Sequence, residues 1–296
     1  MYVITGATGN TGKRIAEHLL QAGKAVTVVS RNATHVASLV ELGAKPAIGN
    51  LEDTDFLTAT FAGAEAVYAL IPPNYTTNDF TGYQISVGNA LASAIEKSGV
   101  KNVVVLSSVG ANLSEKSGVI LGMYSFEQKL KQMAGLNTLA LRPGFFMQNF
   151  YGNIGIIKNM GINGGFPIDG DIRFGMIHVN DIADYAIKRL LALDFKGFSY
   201  QNLSGERELT LKEATTILGT AIGKPDLQWV TFSYEQAKGG MMQAGLTESL
   251  ADKYVEFGER MNDGTMTAEH KLTADSKTAT SIETFAQEFA GAFQHS

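Results

Sequence analysis

The chain of 296 residues contains no cysteine. That absence excludes a disulfide framework, a thiolate nucleophile, a cysteine-ligated zinc and a redox-active thiol. It leaves the redox compartment open, and a cytoplasmic location is the expectation. Positive charge is not in surplus either: 24 Lys and Arg stand against 29 Asp and Glu, a formal charge of −5 with no Lys/Arg run. A nucleic-acid partner is therefore not expected. No window approaches 18 uncharged apolar residues, so no membrane span is expected. The opening Met1-Tyr2-Val3-Ile4-Thr5-Gly6 has no basic region before a long apolar stretch, and no signal peptide is expected from it. His18, His35, His178, His270 and His295 are scattered without a pair at metal-ligand spacing, so no metal is expected. Internal repeats, low-complexity tracts and Pro/Ser linkers are also missing. At this length a chain buries roughly 75% of the surface that its unfolded form exposes, enough for one large domain or one domain with a smaller appendage.

What is present is an alternation. Tyr2–Thr5, Ala25–Val29, Pro46–Gly49, Ala66–Ile71, Val103–Leu106 and Thr138–Arg142 are short apolar runs rich in β-branched residues. Between them, apolar residues recur at helical spacing, as in Ile15, Ala16, Leu19 and Leu20, or Val36, Leu39 and Val40. Gly23 and Gly43 close two of these helices, Asp53 or Thr54 caps a third, and longer ones are expected over about 80–97 and 124–134. The strands are continuously apolar, as when both faces are covered by helices. The reading is an α/β chain with a doubly wound parallel sheet of Rossmann type. Beyond Pro143 the pattern loosens: 161–167 reads as loop, Asn180 as the cap of a helix, and Thr210/Glu213 and Ser233/Gln236 as capping boxes. Residues 1–150, with 174–205 returning to them, are expected to form the dinucleotide-binding domain. Residues 151–173 and 206–296 are expected to form a smaller, mostly helical lobe over the carboxyl edge of the sheet.

The informative segment is Gly6-Ala7-Thr8-Gly9-Asn10-Thr11-Gly12, between the first strand and the first helix. Gly6 permits a tight exit from the strand, Gly9 lets a pyrophosphate approach the backbone, and Gly12 lets helix and strand pack closely. The helix N-terminus adds free N–H groups and roughly half a positive charge, and Thr8, Asn10 and Thr11 can add side-chain hydrogen bonds. The second strand ends in Ser30-Arg31-Asn32, with no carboxylate before Glu41. A ribose 2′-hydroxyl is usually met there by an acidic residue and a 2′-phosphate by a cation, so Arg31 favours NADP(H) over NAD(H).

With these residues the chain resembles the NmrA-like family, an atypical branch of the short-chain dehydrogenases/reductases. The resemblance extends through Gly49-Asn50-Leu51-Glu52-Asp53, Ser107-Ser108, the run Leu141-Arg142-Pro143-Gly144-Phe145-Phe146-Met147-Gln148-Asn149, His178-Val179-Asn180-Asp181-Ile182-Ala183 and Leu203-Ser204-Gly205. It is greatest to bacterial members proposed as NADPH-dependent quinone or dye reductases. The resemblance implies that Asn50, where many relatives carry Asp, and Leu51 sit near adenine. Ala69, Leu70, Ile71 and Pro72 would line the ribose and pyrophosphate side, and Ser107 and Ser108 would close on the nicotinamide ribose. Pro143, Gly144, Phe145 and Phe146 would wall the nicotinamide ring.

The chain departs from the superfamily in its proton chemistry. Short-chain dehydrogenases use Tyr-x-x-x-Lys, in which Lys lowers the tyrosine pKa. Here Tyr124 is followed by Lys129, five residues on, which turns the second side chain by about 100° from the required position. The position where relatives often carry Lys or His falls on Met123. Tyr124 is the one catalytic candidate, with a half-buried helix tyrosine as the alternative. Glu127 reads as a structural hydrogen-bond partner and His178 as a residue satisfying local backbone groups. Phe145, Phe146, Phe150 and Tyr151 can wall a flat substrate or simply pack a core, as can Trp229, Met241 and Met242. The expectation is an NADPH-dependent oxidoreductase passing hydride to a quinone or similar conjugated small molecule, acting as monomer or homodimer. A non-catalytic, redox-sensing NADP(H)-binding regulator is the alternative, and an isomerase or epimerase a third.

Overall fold

The computed structural model describes residues 1–296. Its first half is built from β1 (Tyr2–Ile4), β2 (Val26–Ser30), β3 (Lys45–Ile48), β4 (Ala66–Leu70), β5 (Asn102–Leu106) and β6 (Asn137–Pro143). These alternate with α1 (Asn10–Gln21), α2 (Ala37–Glu41), α3 (Thr54–Phe61), α4 (Phe80–Ser98) and α5 (Leu121–Lys131). The second half runs β7 (Phe145–Phe146), α6 (Ile154–Met160), β8 (Asn163–Gly164), β9 (Phe174–Ile177), α7 (Val179–Ala192) and β10 (Phe198–Leu203). It ends with β11 (Glu208–Leu209), α8 (Leu211–Ala221), β12 (Trp229–Val230), α9 (Tyr234–Gln243), α10 (Glu248–Asn262) and α11 (Ile282–His295).

Seven strands form one parallel sheet in the order β10-β6-β5-β4-β1-β2-β3. Every residue of β1 and β2 is buried, Thr27 and Ser30 included, as expected of strands covered by helices on both faces. β3 is an edge strand and exposes Lys45, Pro46 and Ile48, and an edge is where a proline can sit without costing a ladder hydrogen bond. α1 and α7 cover one face through Ile15, Leu19, Ile182 and Leu190. α3, α4 and α5 cover the other through Leu57, Phe61, Leu91, Ile95 and Phe126. Strand order reverses at β1, with β2 on one side and β4 on the other, so the chain leaving these strands diverges and opens a crevice at the carboxyl edge.

A third core lies beyond that edge. Phe145, Phe150 and Phe174 pack there with Leu211 and Leu218 of α8 and Phe285 and Phe289 of α11. This lobe is mainly helical, with a three-stranded ribbon β11-β9-β7 and the short pair β12-β8, so the expected loop at 161–167 contains a two-residue strand.

Local signals read from the sequence form largely as expected. Asp53 caps α3 by accepting from the N–H groups of Asp55 and Phe56, and both capping boxes, Thr210/Glu213 and Ser233/Gln236, are complete. Asn180 is not a cap. His178 takes that role, its Nδ1 accepting from Asn180 N–H at 3.1 Å. α5 begins at Leu121 rather than near Tyr124, because a 3-10 turn at Gly118–Ile120 feeds directly into it. No helix is long and apolar enough to cross a membrane.

Candidate active site

The end of β1 is tied to β4 by Thr5, whose hydroxyl donates to Tyr68 O at 3.2 Å and accepts from Leu70 N–H at 3.0 Å. The chain then turns at Gly6 with φ +61°, and a Cβ there would lie 2.6 Å from Leu70. At Gly12 a Cβ would stand 2.3 Å from the Gly6 carbonyl oxygen, so helix and loop touch backbone to backbone. Gly9 differs. Its φ of −92° suits any residue, and the nearest atom to a Cβ there is Gly6 O at 3.4 Å. The chain itself does not need glycine at this position.

Gly9 is the N-cap residue of α1, no side chain caps the helix, and its first turn carries no acidic residue. Free N–H groups and the positive end of the helix dipole therefore face outward beside Gly9. Beneath the loop the buried Tyr68 phenol donates to Thr11 Oγ1 at 3.0 Å. Burial raises that phenol's pKa well above the ordinary range, against a smaller opposing effect of Thr11, so it remains a donor. Thr11 keeps its own proton for another partner.

The loop opens into a cavity of about 590 Å³ at the crevice. Gly6, Thr8, Gly9, Asn10 and Thr11 line one end, followed by Leu70, Ile71 and Pro72 after β4, Ser107 and Ser108 after β5, and Gly144, Phe145 and Phe146 after β6. Of the other residues singled out in the sequence, Gly12, Ala69 and Pro143 are buried beside this lining without forming part of it. Arg31, Asn50 and Leu51 follow β2 and β3, outside the cavity.

Arg31 is exposed and has no hydrogen-bond or ion-pair partner. The turn carrying it is held from within: Ser30 Oγ donates to Asn32 O at 2.8 Å, and Asn32 Oδ1 accepts from Thr34 N–H at 3.0 Å. The guanidinium charge reaches Tyr83, whose phenol is raised by burial, lowered by Arg31 and raised by Glu52. Asn50 Oδ1 accepts from Glu52 N–H at 3.3 Å, and Ser86 donates to the Glu52 carboxylate at 3.0 Å.

Behind the cavity lies a buried ionic relay. Ser107 donates to Glu127 Oε1 at 2.5 Å, and Arg142 holds the same carboxylate through Nε at 3.1 Å and Nη2 at 2.5 Å. The Arg142 guanidinium lies 4.1 Å from the Tyr200 ring centroid, and His270 Nε2 donates to Arg142 O at 3.0 Å. Glu127 thus has the structural role expected of it.

On α5 it is Met123, not Tyr124, that lines the cavity; Tyr124 is half-buried elsewhere on the helix. Beside Met123 the buried Gln84 amide donates to Val119 O at 2.9 Å and accepts from Gly122 N–H at 3.3 Å. This wall offers sulfur and an occupied amide, and no acid or base.

The far wall is apolar. Phe145 meets Phe166 edge-on, with centroids 5.2 Å apart at 89°, and is backed by Phe150 and Phe174 at 5.6 and 5.7 Å. Phe150 is lobe core, and Tyr151 lines an adjoining polar crevice of about 400 Å³, with Lys13, His178 and Glu288, that shares Thr8, Gly9 and Asn10 with the cavity. Trp229 is core as well, whereas Met242 is 43% exposed and belongs to the surface. The sequence reading did not find Tyr75, Phe80, Gln84, Phe166, Tyr254, Phe257 or Met261, all of which line the cavity. For the last three the available signal was their spacing on α10, which puts 254, 257 and 261 on one helix face.

A doubly wound sheet with a glycine loop at its switch point, opening on a largely apolar cavity closed by a second lobe, defines a Rossmann-type small-molecule-binding protein. The chain belongs to the NmrA-like family, whose model matches residues 2–286. It is 29% identical over 258 residues to the NAD(P)H azoreductase of Xenophilus azovorans, covering 87% of this chain and 86% of that protein. Among solved structures it is similar to the Citrobacter sp. triphenylmethane reductase complexed with NADP(H), with TM-score 0.80, 19% identity and 98% and 100% of the two chains covered. It is similar also to the NADPH-dependent quinone oxidoreductase QOR2 of Escherichia coli complexed with NADPH, with TM-score 0.78, 20% identity and 97% and 99% coverage.

Proposed function

We propose that the protein is an NADPH-dependent oxidoreductase that passes hydride to a quinone or similar conjugated small molecule. The observation that carries this reading is the cavity's gradient: free helix N–H groups at one end, a cluster of edge-on phenylalanines at the other, and no acid–base pair on α5 between them. Family membership and the reductases named above support it.

In this reading the pyrophosphate lies on Gly6, Thr8, Gly9, Asn10, Thr11 and Gly12, with Arg31 on the 2′-phosphate and Asn50 and Leu51 by the adenine. Ala69, Leu70, Ile71 and Pro72 border the riboses and phosphates. Ser107, its proton committed to Glu127, accepts a hydrogen bond from the nicotinamide half, next to Ser108. Pro143, Gly144, Phe145 and Phe146 flank the ring. Residues 1–150 and 174–205 hold the cofactor, and 151–173 with 206–296 complete the acceptor end. The bound cofactor supplies the hydride, while this chain binds, orients and excludes water. Alcohol oxidation needs a base at the substrate oxygen, whereas a conjugated acceptor takes up charge in its own π-system and can draw its proton from solvent. The wall at Met123 suits the second and not the first.

Titrating the protein with NADPH and NADH by fluorescence, then screening quinone, azo and triphenylmethane acceptors, tests the proposal. Tighter binding of NADPH and its steady oxidation by at least one acceptor is the expected result. Binding without turnover on any acceptor would reject it in favour of the redox-sensing regulator, which the absence of an acid–base pair at Met123 also suits. A difference in affinity between NADPH and NADP+ would then be required.

A further inference from the structure

We propose that Tyr254 is the acceptor-binding residue of this cavity, its phenol hydroxyl donating the hydrogen bond that holds a carbonyl oxygen of a quinone-type acceptor as that oxygen takes on charge. This rests on the reductase reading and specifies which group of this chain selects the acceptor.

The argument runs through the polar side chains of the lining. Thr8, Asn10 and Thr11 belong to the loop end. Gln84 is occupied by Val119 and Gly122, the Ser107 proton is committed to Glu127, and Gln148, whose Oε1 accepts from Val179 N–H, lies with Thr8, Gly9 and Asn10 at the loop end. Ser108 stands at the end of β5 on the sheet side, and Asn149 and Tyr75 are exposed to solvent. Among the residues that the lobe contributes, Phe166, Pro167, Ile168, Phe257 and Met261 have no polar side-chain group able to donate a hydrogen bond.

Tyr254 is the exception. It lies one turn before Phe257 on the cavity face of α10, is partly buried, and its hydroxyl has no partner in the protein. α10 is fixed in place. Gly118 packs so closely that a Cβ there would lie 2.2 Å from Lys253 O, and Gly258 packs likewise at 2.3 Å from Pro167 O. The phenol is therefore carried on a rigid element and faces an apolar space in which an unmade hydrogen bond is costly.

Burial pushes the Tyr254 phenol up to about 12, with Tyr75 adding to the effect. It stays protonated through the physiological range and serves as a donor rather than a base. In the proposed step, hydride from the reduced nicotinamide adds to the acceptor's conjugated system and its electron pair ends on the carbonyl oxygen. Tyr254 hydrogen-bonds that oxygen and keeps its own proton. Solvent supplies the proton that completes the hydroquinone, entering past Tyr75, which is 51% exposed at the cavity lining.

Tyr254→Phe removes the hydroxyl and keeps the ring. The experiment measures NADPH affinity and the kcat/KM of two acceptors, 1,4-naphthoquinone and the cationic triphenylmethane dye malachite green, which takes hydride at carbon and has no oxygen to anchor. The expected result is a fall of roughly 10- to 100-fold for the quinone, the size of a lost hydrogen bond to a charged oxygen. The dye should lose less than about threefold, and NADPH affinity should hold. Equal losses for both acceptors, or none for the quinone, would overturn the proposal, since a merely structural tyrosine cannot tell them apart. If the wild type turns over neither acceptor, the reductase reading fails by itself. The affinity of 1,4-naphthoquinone for the NADP+-loaded wild type and variant then decides the anchor, with roughly tenfold weaker binding to the variant in its favour and equal binding against it.

Discussion

Ser107 gives its single proton to Glu127 across 2.5 Å, and Glu127 is in turn held by both prongs of the Arg142 guanidinium. On its cavity side Ser107 is left with lone pairs only, so it selects for ligand groups that donate, such as a hydroxyl or a carboxamide NH2. The relay is buried, with Glu127 at 1% and Arg142 at 6% exposure, so its balance of charge matters more than its attraction. Glu127→Ala, which leaves the guanidinium uncompensated, should cost about 3–5 kcal/mol in urea unfolding. The double change Glu127→Leu with Arg142→Met should recover most of that loss. A single variant within about 1 kcal/mol of wild type would mean that the pair is hydrated.

The three glycines of the loop should separate into different phenotypes. Gly12→Ala forces a Cβ against Gly6 O and is expected to lower the melting temperature whether or not ligand is added. Gly9→Ala meets no such obstacle, so it should melt like wild type while binding NADPH at least tenfold more weakly. Tight NADPH binding by Gly9→Ala would move the phosphates away from this backbone.

Arg31 is exposed and unpaired, so replacing it should leave the fold untouched. Arg31→Ala is expected to weaken NADPH by roughly 10- to 100-fold, the scale of a lost charge-assisted hydrogen bond, and to change NADH little. The NADPH effect should shrink as salt is raised. Equal losses for the two cofactors would remove Arg31 from the 2′-phosphate.

Below neutrality, His270 should govern part of the stability. Burial, the largest influence on it, holds its imidazole below the ordinary value, against the opposing pull of Arg142 O. Its Nε2–H donates to Arg142 O, and its Nδ1 is 3.5 Å from the Ser204 hydroxyl. The unfolded chain therefore takes up more protons than the fold as pH drops below about 6.5, and stability is lost in that direction but not above it. The urea midpoint of wild type should fall more steeply between pH 7 and 5.5 than that of His270→Gln, whose amide can still donate to Arg142 O. Parallel slopes would clear His270 of the effect.

The parts of the site that the sequence reveals are the local ones. The turn at Gly6 and the close packing at Gly12 follow from a few consecutive residues, and Leu70, Ser107 and Phe145 are legible at the ends of strands in a doubly wound sheet. The fixed period of a helix shows that five residues from Tyr124 to Lys129 cannot do the work of four, whereas Met123 stands out only through the resemblance, as the position where relatives often carry Lys or His. The lobe's contribution is different in kind. The spacing of Tyr254 with Phe257 and Met261 marks a helix face but not what that face meets, since what makes Tyr254 a cavity residue is a contact between Gly118 and α10 across 135 positions of chain, counted from Gly118 to Lys253. Asn180 misled for a related reason: His178 does satisfy a local backbone group as its sequence context suggests, and it does so by capping the helix with its imidazole, a role for which the neighbouring asparagine looked the better candidate.

The two ends of the cavity are anchored in different hydrophobic cores, the loop in the one beneath α1 and the phenylalanine wall in the one beneath α8 and α11. Substitutions in the lobe can reshape what the protein accepts while the nucleotide grip stays unchanged. A scaffold divided in this way lets descendants of one ancestor exchange acceptors without first surrendering their source of electrons.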